Sequence, residues 1–462
     1  MHISIPDYIH SVLATLRDAG HEAYIVGGCV RDAILNRRPA DWDVTTSARP
    51  EEVQRLFRRT LPTGIEHGTV TVMEGKNAVE VTTYRIDGVY EDARHPKEVT
   101  FTSSLTEDLR RRDFTINAMA WHPEKGLQDP FEGRKDLERK LVRAVGNPKE
   151  RFTEDALRVM RAFRFAAQLD FAVEEETCAA AKELAPNLKH ISAERIRDEL
   201  QKLICSPHPE MVRELYRAGI TALILPEFDR CMETPQNNPH HCMNVGEHIL
   251  ATMCAIRADV LLRWTMLLHD IAKPDTRTTD DQGTDHFYRH PEVGAETARK
   301  ILRRMKLDNR TIKRACTLIR WHDMHLGNHA PVEEQIRKGM HAVGREDFPL
   351  LFEVVAADDA AKSPRIAEEK KEALRRMREA WVSVCARGDA VQISELAVSG
   401  AELISAGIAE GPLIGEVLTA MLEQVLKKPE LNTRETLTNP SRLKQFLNTA
   451  QARMKKKDGG EG

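Results

Sequence analysis

Apolar positions change period several times along the first 135 residues. Asp7 to Ala19 carries them at helical spacing, and Gly20 is placed to stop that helix. Ala23 to Val26 is a short apolar run that predicts a strand leading into Gly27-Gly28. Asp32 to Leu35 predicts a turn of helix, Trp42 to Thr45 a strand, and Pro50 to Arg58 a helix. Thr69 to Met73 and Ala78 to Tyr84 are rich in β-branched residues, and Glu74-Gly75-Lys76-Asn77 between them is a hairpin signal. From Asp136 onward helical periodicity dominates. It is broken at prolines 148, 186, 207, 209, 226, 235 and 239, with Pro226 to Pro239 expected to be a boundary or hinge. The pattern predicts a multidomain, mainly α chain. It has an N-terminal α/β head with a mixed sheet, followed by all-helical regions.

Composition narrows the picture. In 462 residues, 41% are hydrophobic and only 5% aromatic, which suits several helix-rich cores. The formal net charge of -3 excludes a uniformly basic nucleic-acid coat, so any polyanion must be met by locally sorted charge. No apolar run approaches the ~18 residues of a membrane span. Met1 to His10 shows no signal-peptide pattern. The eight cysteines are scattered without a CxxC, so a reducing, cytoplasmic setting is expected.

Two clusters carry chemistry. In the first, Ile25-Val26-Gly27-Gly28-Cys29-Val30-Arg31-Asp32 reads as strand, glycine turn and helix start, where backbone N–H groups and Arg31 could meet a phosphate. Asp41 and Asp43 stand at i and i+2, on one face if both are in the strand. Two like charges there ask for a cation, and Mg²⁺ takes one or two carboxylates plus substrate phosphates. Glu80, in the predicted strand Ala78 to Tyr84, is a candidate third carboxylate if that strand is adjacent. Downstream, Thr153 is a plausible N-cap with Glu154 and Asp155 in an acidic first turn. Asp155 and Arg158, at i and i+3, are neighbours on one face. Cytosine and adenine both present an amino donor and a ring-nitrogen acceptor, whereas guanine and uracil present the reverse. One Asp–Arg pair can therefore admit C and A and reject G and U. Arg161 and Arg164 continue the basic face, while Leu157, Met160 and Phe163 are expected in the core.

The GGxVRD and DWDV segments resemble the nucleotidyltransferase head of class II CCA-adding enzymes and bacterial poly(A) polymerases. The resemblance continues in order through Arg110 to Ala120 (RRRDFTINAMA), Asp129 to Gly133 (DPFEG), Glu154 to Phe165 (EDALRVMRAFRF) and Ile191 to Ile196 (ISAERI), covering residues 20–200. It implies that Asp41 and Asp43 hold catalytic Mg²⁺, that Gly28, Arg31 and Arg112 contact phosphates, and that Asp155, Arg158, Arg161 and Arg164 bind and select CTP and ATP for addition to tRNA. Poly(A) polymerases typically carry a GRRF-type segment after the carboxylates, where this chain has Leu61 to Val70 (LPTGIEHGTV), closer to the tRNA branch. The polar stretch Tyr84 to Pro96 reads as a full-length loop. In this family that favours complete CCA addition over an enzyme adding only CC, while a partial A-adding or CC-adding enzyme stays an alternative.

In the second cluster, ten of eighteen histidines fall between His240 and His341. Leu261 to Ala272 is a helix pattern carrying His269-Asp270. With His248, His290, His322 and Asp358 or Asp359, it resembles the HD phosphohydrolase domain, whose helices surround one or two divalent metals. His248, His269, Asp270 and Asp358 are the implied ligands. His240, His241, His286, His325, His329 and His341 read as ordinary polar residues or supporting groups. An HD-type RNA-end phosphohydrolase whose head only binds RNA is the alternative from another class. The expected organisation is a head (1–135), a helical neck (136–230), an HD domain (231–365) and a helical body and tail (366–462). The tail holds six Lys or Arg and no acid from Thr436 to Lys457, a tRNA-contact candidate with a disordered end. The oligomeric state is left open.

Overall fold

The computed structural model describes residues 3–88, 99–327 and 330–458. The chain forms two compact units, Met1–Arg230 with Ile301–Leu307, and Cys231–Lys300 with Asp308–Gly462.

The first unit opens with a mixed sheet. In chain order its strands are β1 (Ala23–Val26), β2 (Asp43–Thr46), β3 (Thr60–Gly64), β4 (Thr69–Glu74) and β5 (Asn77–Thr83). After a separate pair, β6 (Arg85–Asp87) with β7 (Val99–Phe101), come β8 (Ala120–His122) and β9 (Gly126–Gln128). The sheet order is β3-β4-β5-β2-β1-β8-β9. Only β2 and β5 run parallel, so Asp43 lies beside Val26 on one side and Glu80 on the other. The β4–β5 hairpin turns where the sequence signals it, at Gly75, whose φ of 62° suits glycine. Helix Asp7–Asp18 buries Ile9, Val12, Leu13 and Leu16, its apolar stripe. The loop expected at 84–96 lies largely outside the described residues.

The helical part of this unit centres on helix Leu157–Leu169, packed against Ala193–Ile204. Met160 and Phe163 are buried as expected. The N-cap expectation at Thr153 is overturned. Thr153 lies inside helix Pro148–Glu154, its hydroxyl donating to Lys149 O at 2.7 Å, and the helix ends two residues later, at Asp155. Asp155 has extended backbone angles (φ -139°, ψ 102°) and its Oδ1 accepts from Leu157 N–H at 3.0 Å. Asp155 therefore caps the following helix rather than riding in its first turn.

Helices Val245–Ala255, Val260–Leu268, Asn309–Trp321 and Phe348–Ala360 form the histidine-rich part of the second unit. Next to them is a small hairpin, Arg277–Thr279 with Asp285–Phe287, which the sequence pattern did not reveal. Helices Gly400–Ser405, Pro412–Lys427 and Pro440–Asp458 share a separate apolar cluster including Leu403, Val417, Met421, Val425, Leu437 and Phe446. Buried Arg337 donates to the carbonyls of Leu426 and Lys427, satisfying the last turn of Pro412–Lys427, and pairs with Asp389 at 3.0 Å. No helix of the described residues is long and apolar enough to cross a membrane.

Candidate active site and metal centre

Strand β1 ends at Val26, Gly27 makes the turn (φ 83°), and helix Gly28–Ile34 follows. A side chain at Gly27 would come within 3.0 Å of Arg112 Nη1, so glycine keeps the turn open beside that guanidinium. Arg31 donates to Asn117 Oδ1 at 2.7 Å. Asn117 in turn donates to Asp113 Oδ1 at 3.1 Å, and Asp113 Oδ2 accepts from Arg161 Nε at 2.8 Å. This relay ties the glycine turn to helix Leu157–Leu169. Arg161 holds the buried Asp113 carboxyl far below its usual range, although burial alone would raise it.

Asp43 opens β2 and is partly buried. Burial pushes its carboxyl up to about 6, Glu80 and Asp41 add to the rise, and Arg112 opposes it. Asp41 is exposed and stands two residues before Asp43, outside the strand, so the two aspartates do not share a strand face as the i, i+2 argument required. Buried Asp108 orients the neighbouring arginines. It accepts from Arg111 Nε and Thr45 Oγ1, both at 2.9 Å, and lies 3.7 Å from Arg112 Nη2. Arg112 Nε is itself buried without a hydrogen-bond partner, as suits a group waiting for an anion.

Asp155 and Arg158 do not pair with each other. Asp155 Oδ2 meets Arg195 Nη2 at 2.9 Å. Arg158 is held by Glu154 (2.7 Å) and by the carbonyls of Arg151 and Arg111 (3.2 and 3.0 Å). Each side chain is thus fixed from behind by a different partner. Of the predicted set, Gly28, Arg31, Asp43, Arg112, Asp155, Arg158 and Arg161 line one cleft of about 440 Å³. Arg164 does not line it. It turns onto buried Glu199 at 2.6 Å and lies over the Phe165 ring, so the expectation that it joins the basic face is corrected. Asp41 is also absent from the cleft lining. Arg111, Asp113, Asn117, Phe165 and Arg195 line it without having been singled out. Asp113 and Asn117 sit inside the RRDFTINAM segment and Arg195 inside ISAERI, so the signal was present without a role attached. Gly133 of the DPFEG turn has its N–H on Asp129 Oδ1 at 2.7 Å, and a side chain there would collide with the Thr115 carbonyl.

In the second unit, His248, His269, Asp270 and Asp358 converge as four buried donors, and Asp270 is shared with a second group containing His290 and His322. His248 Nε2 is 2.9 Å from Asp358 Oδ1, and His269 Nε2 is 3.3 Å from Asp270 Oδ2. His290 and His322 place Nε2 3.4 and 3.5 Å from Asp270 Oδ1. His269, His290 and His322 each set Nδ1 against a backbone carbonyl, of Met266, Phe287 and Ile319, which leaves Nε2 for a cation. Lys273 lies 2.7 Å from Asp270 and Lys362 2.7 Å from Asp358. Burial would depress His269, but Asp270 and Asp358 outweigh it and raise the ring to about 9, whereas burial takes His290 down to about 4. The site fits a divalent ion. His269 Nε2 and both oxygens of Asp270 lack a well-aligned hydrogen bond, and a mixed imidazole–carboxylate set is a metal donor set. Asp359 pairs with Lys362 instead. His240, His241, His286 and His325, read from sequence as ordinary or supporting residues, line the same cleft. His341 bonds Val391 O, and His329 lies outside the described residues.

Three family models match the chain: the Poly A polymerase head domain over residues 23–143, a probable RNA and SrmB-binding site of polymerase A over 170–232, and the HD domain over 240–377. The chain is 33% identical over 438 residues to the CCA-adding enzyme of Lactiplantibacillus plantarum, covering 94% of this chain and 95% of that one. It belongs to the CCA-adding enzyme family. The CCA-adding enzyme of Lactobacillus helveticus is 50% identical over 217 residues, 47% of this chain and 54% of its own. Among solved structures, the Bacillus stearothermophilus CCA-adding enzyme in complex with CTP matches with a TM-score of 0.70 and 29% identity, covering 97% of this chain and 98% of that one. The Thermotoga maritima CCA-adding enzyme complexed with tRNA shares the fold at TM-score 0.55 and 20% identity. Like its family, the chain is a nucleotidyltransferase with a mixed-sheet head, helical regions and an HD domain.

Proposed function

We propose that the chain adds C, C and A from CTP and ATP to the 3′ end of tRNA in the cytoplasm. The RNA 3′ hydroxyl oxygen bonds the α-phosphorus, the α–β anhydride breaks, pyrophosphate leaves and the hydroxyl proton passes to water. The carrying observation is that Gly28, Arg31 and Arg112, suited to phosphates, share one cleft with Asp155 and Arg158, suited to a base edge. Asp155 accepts from the amino group of C or A, and Arg158 donates to the ring nitrogen. Arg161 braces the cleft through Asp113. Asp41 and Asp43 would hold Mg²⁺, an ion that takes oxygen donors and neutralises phosphate charge. Burial raises Asp43 and the neighbouring Glu80 and Asp41 add to the rise, which a bound cation would offset. We assign residues 1–135 as head, 136–230 as neck, 231–365 as HD domain and 366–462 as body and tail.

The test is extension of tRNA lacking its last three nucleotides, with each nucleoside triphosphate alone and in pairs. Ordered C, C, A addition, abolished by Asp43→Ala, is expected. Long CTP-independent tails would assign the chain to poly(A) polymerases instead, and incorporation retained in Asp43→Ala would reject the site.

A second reading is favoured by the buried donor set around Asp270. His248, His269, Asp270 and Asp358 would hold a divalent metal, which supplies Lewis acidity toward a phosphoryl oxygen. The reaction is phosphoester hydrolysis: a water oxygen bonds phosphorus, the ester P–O bond breaks, and the leaving oxygen takes a proton from the water. A metal-screened assay on 2′,3′-cyclic nucleotides that stays flat, with or without Asp270→Ala, would sink it.

A further inference from the structure

The cleft that contains Asp270 measures about 400 Å³, within the range of small-ligand sites. Only part of its wall is the donor cluster. Another part is Tyr288, which is 70% exposed and lies nearly parallel to His286, with ring centroids 5.4 Å apart and planes 8° apart. A single exposed tyrosine is ordinary on a protein surface. This one is held in place. His286 Nε2 lies 2.9 Å from Asp280, and the hairpin carrying it is fastened by buried Asp285, which accepts from Arg277 Nε (3.0 Å), Thr279 Oγ1 (2.7 Å) and Asn237 N–H (2.9 Å). The next residue, Arg289, takes a left-handed backbone (φ 60°), uncommon for a residue with a side chain. Across that bend, Tyr288 stays exposed while His290 directs Nε2 to Asp270. A third part of the wall comes from helix Pro364–Arg387, where Ile366 and Lys370 are one turn apart.

We propose that this cleft is built for a nucleoside phosphomonoester, with the base stacked on Tyr288 over His286 and the phosphate drawn to the Asp270 centre with help from Lys370. This rests on the reading of that centre as a metal-dependent phosphoester site and adds what selects its ligand. An aromatic face accepts any base, so the preference is for nucleotides over base-free phosphoesters rather than for one base. The phosphomonoester can belong to a free nucleotide or to an RNA 3′ terminus.

The test is calorimetry on the full chain in Mn²⁺ buffer with CTP saturating the head. The probes are an uncleavable 3′-AMP analogue with CH₂ in place of the ester oxygen, the corresponding base-free ribose phosphonate, and a short RNA ending in the same group. Tyr288→Ala and His286→Ala are expected to weaken the two base-containing probes, Tyr288→Ala by about 5- to 150-fold, while the base-free probe is unchanged and Tyr288→Phe keeps the wild-type preference. Whichever base-containing probe binds more tightly identifies the source of the ligand. Equal losses for all probes, or no loss in Tyr288→Ala, would overturn the platform while leaving the metal centre standing. If Asp270→Ala leaves binding of every probe intact, the phosphoester reading and the platform both fall.

Discussion

Replacing Asp155 with asparagine tests the base-selection argument with little disturbance of the fold. Oδ1 of Asp155 caps the helix by accepting from Leu157 N–H, and asparagine caps as well as aspartate does. The carbonyl oxygen must therefore stay on Leu157, which puts the new amide NH₂ where Oδ2 now faces Arg195. Two donors then oppose each other. The lost Asp155–Arg195 ion pair is partly exposed and is worth about 0–1 kcal/mol, so the protein should still fold. For catalysis the change is larger. A charge-assisted hydrogen bond to the amino group of C or A is worth about 1.5–3 kcal/mol, so kcat/KM for CTP and ATP should fall about 10- to 150-fold. Uracil presents a carbonyl at that position, and the new amide donates to it, so UTP should not fall in parallel. Single-nucleotide extension of truncated tRNA with CTP, ATP, UTP and GTP measures all four constants. A folded variant whose C over U preference equals that of wild type would refute the assignment of Asp155 to the base edge.

Four further outcomes follow from the geometry. Asp43→Asn should abolish incorporation yet raise stability above neutral pH. The carboxyl goes from about 3.8 unfolded to about 6 folded, so its protonated form contributes stability that is present below pH 4 and lost as pH rises through 6. Urea unfolding in EDTA should show a gain of at most about 3 kcal/mol at pH 8 and none at pH 4. Asp113→Asn, which strips Arg161 of its carboxylate, should cost about 1.5–3 kcal/mol at pH 7 by the same measurement. Gly133→Ala should destabilise the head by about 1–3 kcal/mol, because the methyl meets the Thr115 carbonyl rather than a side chain that can move. Asp270→Ala should remove Mn²⁺ binding from the second unit in calorimetry while leaving tRNA extension intact, and unchanged stoichiometry would dismiss that metal centre.

The sequence pattern was most informative where a local rule decides the outcome. The β4–β5 hairpin follows from Gly75 between β-branched runs, whereas the parallel pairing of β2 with β5 that sets Glu80 beside Asp43 joins residues 37 positions apart and is not a local matter. The pattern failed where two local rules compete. Thr153 and Asp155 are both cap-forming residues two positions apart, and periodicity could not choose between them. The structure uses Asp155, whose bond to Leu157 N–H ends one helix and starts the next. Helical spacing also placed Arg164 on the face of Arg158 and Arg161. A partner 35 positions away, Glu199, captures it instead, and no pattern within the helix could show that. The histidine cluster was legible as an ordered set. That Asp358 rather than Asp359 turns inward depends on which of two adjacent residues the helix Phe348–Ala360 presents to His248, a matter of packing.

The same geometry explains how a chain of net charge -3 can serve a polyanionic substrate. The arginines around the head cleft are not a bare positive surface. Arg31 pairs with Asp32, Arg111 with Asp108, Arg158 with Glu154, Arg161 with Asp113 and Arg195 with Asp155. These carboxylates hold each guanidinium in one orientation before substrate arrives, so less side-chain freedom remains to be lost on binding. They also cancel much of the long-range field. On the proposed reading, a triphosphate would be recognised at contact distance, by donors already aimed, rather than gathered from afar. Arg112, part-exposed but with its Nε buried and unpartnered, would on that reading have most to gain from the incoming phosphate. An arrangement of this kind favours correct placement of the nucleotide over tight, indiscriminate retention of RNA, which suits an enzyme that must release pyrophosphate after each addition.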